Sequence, residues 1–228
     1  MKVIFTLLTF ITLTFASVLV RKDENQPLKA ITQEEVNNRY YPAAVMSGAV
    51  SCGARSIRAF DCGPACDYLR NNGANVIYTT GDGNKYPFAY IIHMKSERAL
   101  VVSHSPTNSS SWQSNLINDE FLLVGLDNDI SNELPDHNTF GTLLHRGFQN
   151  DVLKSFDGIK SNLTAALDSL DDEIDTVKFT GHSTGATTAS IYALAMTNLV
   201  KSRGKSVQLT TFGCPEIGND VFANLMVS

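Results

Sequence analysis

Thr176-Val-Lys-Phe-Thr-Gly-His-Ser-Thr-Gly-Ala-Thr-Thr-Ala-Ser190 is the stretch on which the fold turns. Val177 and Phe179 alternate with polar neighbours, as in a short strand. Ser183 to Val200 reads as a helix that begins with small residues. Between strand and helix stands Gly181-His-Ser-Thr-Gly185, a G-x-S-x-G pattern. The pattern alone is weak, but its place after a strand and before a helix makes it specific. A serine on so tight a turn needs small neighbours. Gly181 and Gly185 let strand and helix approach, and Ala186 and Ala189 extend that small face. The hydroxyl of Ser183 then projects above the sheet edge. The helix N-terminus beneath it favours developing negative charge, with the backbone N–H of Thr184 aimed at an oxyanion.

Outward from this point, strands and helices alternate. Phe148 to Leu170 carries apolar residues at steps of three and four and predicts one long amphipathic helix. Val207–Phe212 predicts a strand, followed by a Gly/Pro turn and a helical start. This alternation predicts a parallel sheet covered by helices. The first half reads as more antiparallel, with strands at Asn75–Thr80, Tyr86–Lys95 and Ala99–His104. Gly81-Asp-Gly-Asn84 predicts a hairpin between the first two. Residues 32–47 predict a helix that starts at Thr32 and is disrupted or split at Pro42. Gly48 to Gly73 reads as turn-rich, and 105–137 as irregular.

Composition sets the outer limits. The chain has 228 residues, 43% hydrophobic and 18% charged, so it can bury a core, and it suits one domain. A net charge of −5 without a Lys/Arg stripe excludes a nucleic-acid partner. The opening Met1 to Ala16 carries Lys2, then a charge-free apolar run, then Thr14 and Ala16 in a small-x-small pattern. It predicts a signal peptide at 1–16, secretion, and a mature domain at 17–228. The run is too short for a membrane span. Secretion makes Asn108-Ser-Ser and Asn162-Leu-Thr candidate glycosylation sites. Cys62 and Cys66 bracket Gly-Pro-Ala, where a local disulfide fits, although four Cys leave three full pairings open. Cys214 reads as a buried free thiol. Asp127, Asp129 and Ser131 alternate like calcium ligands, but Asn132 replaces the required Gly. No metal and no cofactor are expected.

Several blocks in order resemble the secreted fungal class 3 lipases of the α/β-hydrolase superfamily. Gly181 to Gly185 resembles their GHSLG. Thr211-Phe-Gly-Cys-Pro-Glu-Ile-Gly-Asn219 resembles FG-x-P-R-V-G-N, and His145-Arg-Gly-Phe148 resembles H-x-G-F. Val101-Val-Ser-His-Ser-Pro-Thr107 stands where the family has V-V-A-F-R-G-T or V-V-A-H-Q-G-T, and Cys62 to Cys66 resembles the Cys-Gly-x-x-Cys of one fungal branch. The resemblance spans about residues 30–228. It implies an α/β fold of the α/β-hydrolase type, with a central, mostly parallel sheet flanked by helices. It implies a serine esterase of the triacylglycerol lipase type, working through an acyl-enzyme without a cofactor. The partner would be a lipid or other ester substrate at an oil–water interface, and the chain a monomer.

Carried over residue by residue, the resemblance makes Ser183 the nucleophile and Thr184 and Thr107 the oxyanion hole. Asn108 to Asn118, with Trp112, Leu116 and Ile117, takes the place of a lid. His145 is structural in the family. Thr184 replaces Leu, Ser105-Pro106 replaces Arg/Gln-Gly, and Glu216 replaces Arg. The five His stand at 93, 104, 137, 145 and 182, none of them after Ser183. The family's acid and His follow the serine, as does its partner for a Cys near 52, so the expectation is a C-terminally truncated chain that is inactive or weak. Two other readings are a non-catalytic secreted lipid- or polymer-binding protein and a feruloyl-type esterase.

Overall fold

The computed structural model describes residues 30–84, 86–106, 122–134 and 138–227. The chain divides into Met1–Thr32 and Gln33–Ser228, and the regular elements all lie in the second unit. Its first helical stretch runs from Gln33 to Ala49. A turn α1 (Gln33–Glu35) leads through a π-helical turn (Val36–Tyr40) into α2 (Tyr41–Ala49). Of the two outcomes predicted at Pro42, the structure has disruption rather than a break. Pro42 occupies the first turn of α2, where a missing N–H costs least, and the preceding turn widens so that Tyr41 N–H reaches Val36 O.

The turn-rich reading of 48–73 is corrected by two helices, α3 (Gly53–Ala59) and α4 (Pro64–Asn71). Each is about two turns long and buries few side chains (Ile57; Cys66 and Leu69), too few to reveal a helical period among the Gly and Cys. Phe60 closes α3 at φ 51°, and Pro64 opens α4 at a first-turn position. Cys62 and Cys66 are disulfide-bonded across that start.

The strands are β1 (Ala74–Thr80), β2 (Ala89–Met94), β3 (Ala99–His104), β4 (Leu123–Gly125), β5 (Leu143–His145), β6 (Thr176–His182) and β7 (Ser206–Phe212). The main sheet has the order β1-β2-β3-β6-β7. The pairs β1–β2 and β2–β3 are antiparallel, whereas β3–β6 and β6–β7 are parallel, as the two halves of the sequence predict. A small ladder joins β4 and β5. After β4 come α5 (Asn128–Ser131), α6 (Arg146–Leu153), α7 (Phe156–Ser169), α8 (Thr184–Lys201) and α9 (Asp220–Val227).

Alternation along the strands builds two cores. Leu100, Val102, Val177 and Phe179 pack in a cluster with residues of α6 to α9. Val101, Tyr90, Ile92 and Met94 share a second cluster with residues of α2 to α4. The result is a sheet between two helical layers, the α/β architecture expected.

The single long helix predicted over Phe148–Leu170 is two helices. Ser155 leaves helical angles at φ −126° and ψ 4°, and the chain restarts at Phe156. A partly buried polar pair holds that break. Tyr192 OH donates to Val152 O at 3.0 Å, so the Ser155 hydroxyl donates to Tyr192 at 2.9 Å. Apolar spacing continues across the break, which hides it from a periodicity reading. Cys214 is exposed rather than buried, and Cys52 is also a free, exposed thiol.

Candidate functional site

One row of the sheet places the site. Thr80 pairs with Ala89, Ala89 with His104, His104 with Gly181, and Gly181 with Thr211. The row marks the edge where β1, β3, β6 and β7 all end. In open α/β sheets, ligands bind beyond the carboxyl ends of the strands.

Ser183 stands on this edge at φ 54° and ψ −128°, one of three described non-glycine residues with positive φ. Such angles cost about 1–3 kcal/mol and persist only where the surroundings impose them. Three anchors do so here. Ser183 N–H donates to Phe212 O of β7 at 3.0 Å, and Ala186 N–H donates to Ser183 O at 2.9 Å. The third anchor is contact with no room to spare. A Cβ on Gly181 would lie 2.2 Å from Gly185 O, and one on Gly185 would lie 2.3 Å from His104 O. Both glycines of the motif are therefore steric requirements.

The Ser183 side chain is half-buried and opens to solvent, while Thr184 is buried. Thr184 heads α8, an 18-residue helix whose N-terminal dipole points at the serine. Its carbonyl accepts from the hydroxyls of Thr187 (2.7 Å) and Thr188 (3.2 Å). Every residue from Thr184 to Met196 is buried, which fixes this helix against the sheet. Among the described residues, no histidine or carboxylate is hydrogen-bonded to the Ser183 hydroxyl.

The histidines have distinct surroundings. His104, at the end of β3, is buried and stacks on Tyr192 with ring centroids 4.7 Å apart. Burial alone pulls its pKa down to about 3, so the imidazole is neutral near pH 7. His93 is buried within β2. His145 packs edge-on against Phe148, and its backbone N–H donates to Ile217 O. His182 is exposed beside the serine. It lines a cavity of about 200 Å³ with Ala44, Ser47 and Gly48 of α2, Pro106 and Phe212.

Two features at this edge escaped the sequence reading. Ser105 N–H donates to Phe88 O at 2.8 Å, and Phe88 N–H donates to Ser105 Oγ at 2.9 Å. This clamp ties the β1–β2 loop to the segment leaving β3, at the very residues that depart from the family pattern. Asn219 is the second. Its Oδ1 accepts from Leu143 N and Phe222 N at 3.1 Å each, and its Nδ2 donates to Gly141 O at 2.8 Å. The Gly-Asn pair in the sequence marked a turn but not this joint between β5 and α9.

The remaining candidate residues divide simply. Residues 1–16, Thr107, Asn108, the lid segment to Asn118 and His137 lie outside the described residues. Asn162 lies within α7, half-buried, with its Nδ2 donating to Gly158 O at 2.8 Å. Asp127 caps the short α5 by accepting from Asp129 N–H. Among the described residues no cluster of three His, Cys, Asp or Glu could hold a metal ion, and no helix is long and apolar enough to cross a membrane.

Known proteins share this arrangement. The family Lipase (class 3) matches residues 108–228. A secreted mono- and diacylglycerol lipase 3 of Gibberella zeae is 25% identical over 219 residues, covering 95% of this chain and 64% of that protein. The chain thus spans a little under two thirds of that relative's length. The solved Rhizomucor miehei triacylglyceride lipase superposes with a TM-score of 0.67 at 23% identity, over 87% of this chain and 69% of that one. A triacylglycerol lipase described as having a serine protease triad as its catalytic centre superposes with a TM-score of 0.65 at 25% identity, over the same shares.

Proposed function

Because the chain belongs to the class 3 lipase family, we propose that it is a secreted carboxylic ester hydrolase acting on acylglycerols through Ser183. The observation that carries this reading is the strained backbone of Ser183 at the head of α8. Evolution has little reason to hold a serine at such angles, between two glycines that admit no Cβ, unless its hydroxyl must be presented.

In the proposed reaction, Ser183 Oγ adds to the ester carbonyl and its proton passes to a base. The tetrahedral oxyanion lies against the N–H of Thr184, the N-terminal dipole of α8, and Thr107. Collapse expels the alcohol and leaves an acyl-serine, which water then cleaves to free the acid and restore the hydroxyl. A serine protease triad forms the catalytic centre of the solved triacylglycerol lipase of the same fold, and the same chemistry is proposed for Ser183. Acylglycerols are the proposed substrates because the similar Gibberella zeae protein is named for mono- and diacylglycerols. That relative is named as secreted, which together with the Met1–Ala16 pattern supports an extracellular location.

The test uses the full protein as it is secreted. Incubation with a fluorophosphonate probe, followed by peptide mass mapping, is expected to place the adduct on Ser183. Monoolein turnover in a pH-stat is expected to vanish in Ser183→Ala. Turnover that survives this change, or an adduct on another serine, would overturn the assignment.

A further inference from the structure

We infer that His104 is a positioning residue for the Ser183 site. Its ring, stacked on Tyr192, ties the end of β3 to α8 and so sets where the Thr184 N–H stands against an ester held at Ser183. The inference rests on Ser183 being the esterase nucleophile.

Two contacts from one residue make the tie. His104 ends β3 and pairs with Gly181 of β6, two residues before the serine. Its carbonyl lies on the first turn of α8, where a Cβ on Gly185 would stand 2.3 Å from it. Its ring lies on Tyr192, with centroids 4.7 Å apart and planes at 12°. Gly185 and Tyr192 are seven residues apart, so they share one face of α8 and stand about 10 Å apart along its axis. Helical side chains lean towards the N-terminus, which carries the Tyr192 ring back towards the Gly185 turn. A single contact would let α8 pivot about its first turn. The second fixes its tilt against β3, and the Thr184 N–H moves with that tilt.

Tyr192 is itself held from α6 and α7. Its hydroxyl donates to Val152 O at 3.0 Å and accepts from Ser155 at 2.9 Å, and Phe156 stacks on its ring at 5.8 Å. All three rings are buried. The stack therefore joins β3, α8 and the α6–α7 break in one block, with the nucleophile turn at its rim.

The chemistry of the imidazole narrows its part. His104 Nε2 is buried without a hydrogen-bond partner among the described residues. Burial also leaves the ring too weak a base to take the serine proton. What the residue supplies is a flat face of fixed thickness. Phenylalanine supplies the same face, whereas leucine fills the volume without it.

Turnover of monoolein by the full secreted protein, with kcat and KM resolved, tests this. His104→Phe is expected to keep kcat within about twofold. His104→Leu and Tyr192→Leu are expected to lower kcat by about ten- to a hundredfold with KM nearly unchanged, the pattern of an interaction lost only in the transition state. Leu163→Val, in the same core but on α7, controls for lost packing and is expected to keep kcat. A second readout needs no turnover. Hydrogen exchange of the Thr184–Tyr192 amides, followed by mass spectrometry, is expected to quicken in His104→Leu and to match the parent in His104→Phe. Leucine variants that keep the parent's kcat, an equal kcat loss in Leu163→Val, or a His104→Phe protein as slow as His104→Leu would each overturn the inference. Exchange unchanged in His104→Leu would overturn it as well. Failure of the nucleophile assignment shows separately, as turnover that survives in Ser183→Ala while the exchange pattern holds.

Discussion

Replacing Gly181 by Ala perturbs the site through geometry alone. Gly181 has ordinary backbone angles, so no torsional penalty enters. The new Cβ would stand 2.2 Å from Gly185 O, 2.4 Å from Gly185 C and 2.9 Å from Ala186 N. All three are backbone atoms, so no rotamer change relieves them. Either the end of β6 or the first turn of α8 must move by about 1 Å to regain ordinary contact, which begins near 3.4 Å. Overpacking of this kind costs typically 1–3 kcal/mol, and rigid neighbours put this case near the top, at about 3 kcal/mol. For a domain of this size each kcal/mol lowers Tm by about 2–4 °C, so a fall of about 6–12 °C is expected. Ser183 lies between the two segments that separate. A displacement of about 1 Å at a reacting group can cost about a hundredfold in rate, so monoolein turnover should fall by that order. Gly48→Ala is the control. Nothing lies within 4 Å of its would-be Cβ, and it sits in α2 with ordinary φ, so Ala should stabilise the helix by up to about 1 kcal/mol. Thermal melts followed by circular dichroism, with turnover measured beside them, decide the matter. A Gly181→Ala protein that melts with its parent and keeps full turnover would refute the close-approach argument.

Three further outcomes are expected. His104 has a folded pKa of about 3 against 6.5 for the free side chain, so the unfolded chain binds the extra proton between those values. Its contribution to stability is fully present above pH 6.5 and is lost at up to about 1.4 kcal/mol per pH unit below it; urea midpoints of His104→Phe across pH 4–7 should show a shallower acid decline than the parent, and parallel profiles would contradict this. Asn219→Ala removes three hydrogen bonds, one of them the α9 cap, and should cost about 2–4 kcal/mol by urea unfolding, whereas a loss below about 0.5 kcal/mol would show that the joint is not needed. Cys62→Ser with Cys66→Ser opens a loop closed over a separation of four residues, worth about 2 kcal/mol by loop entropy, and a melt insensitive to reductant would argue that the bond contributes nothing.

Much of this architecture was legible because local and global signals agree in the second half of the chain. Around Ser183, the strand period, the paired glycines and the small-residue helix all specify one arrangement, and β6 and α8 fall where the pattern puts them. The α6–α7 break was not legible, because it is set by Tyr192, 37 residues from Ser155. Which of its two predicted effects Pro42 has was hidden for a related reason. Its effect depends on its position in a turn, and the widened turn before it absorbs the missing donor. α3 and α4 are short and bury only Ile57, Cys66 and Leu69, so tertiary packing rather than periodicity defines them. At the candidate site, the motif put Ser183 and Thr184 on the strand-to-helix turn where the structure has them. The Ser105–Phe88 and Asn219 contacts join segments 17 and 76 residues apart, and no local pattern encodes such pairs.

The site is best understood as a strained residue held by three independent segments. Phe212 anchors it from β7, His104 and Ser105 from the end of β3, and Ala186 from α8. A single anchor would leave the cost of about 1–3 kcal/mol at Ser183 free to relax into ordinary angles. Parallel pairing of β3, β6 and β7 makes the joint restraint possible, because only parallel neighbours end together on one edge. The antiparallel half then gains a use of its own. β1 runs parallel to β3 across β2, so its terminal loop is delivered to the same edge as Ser183.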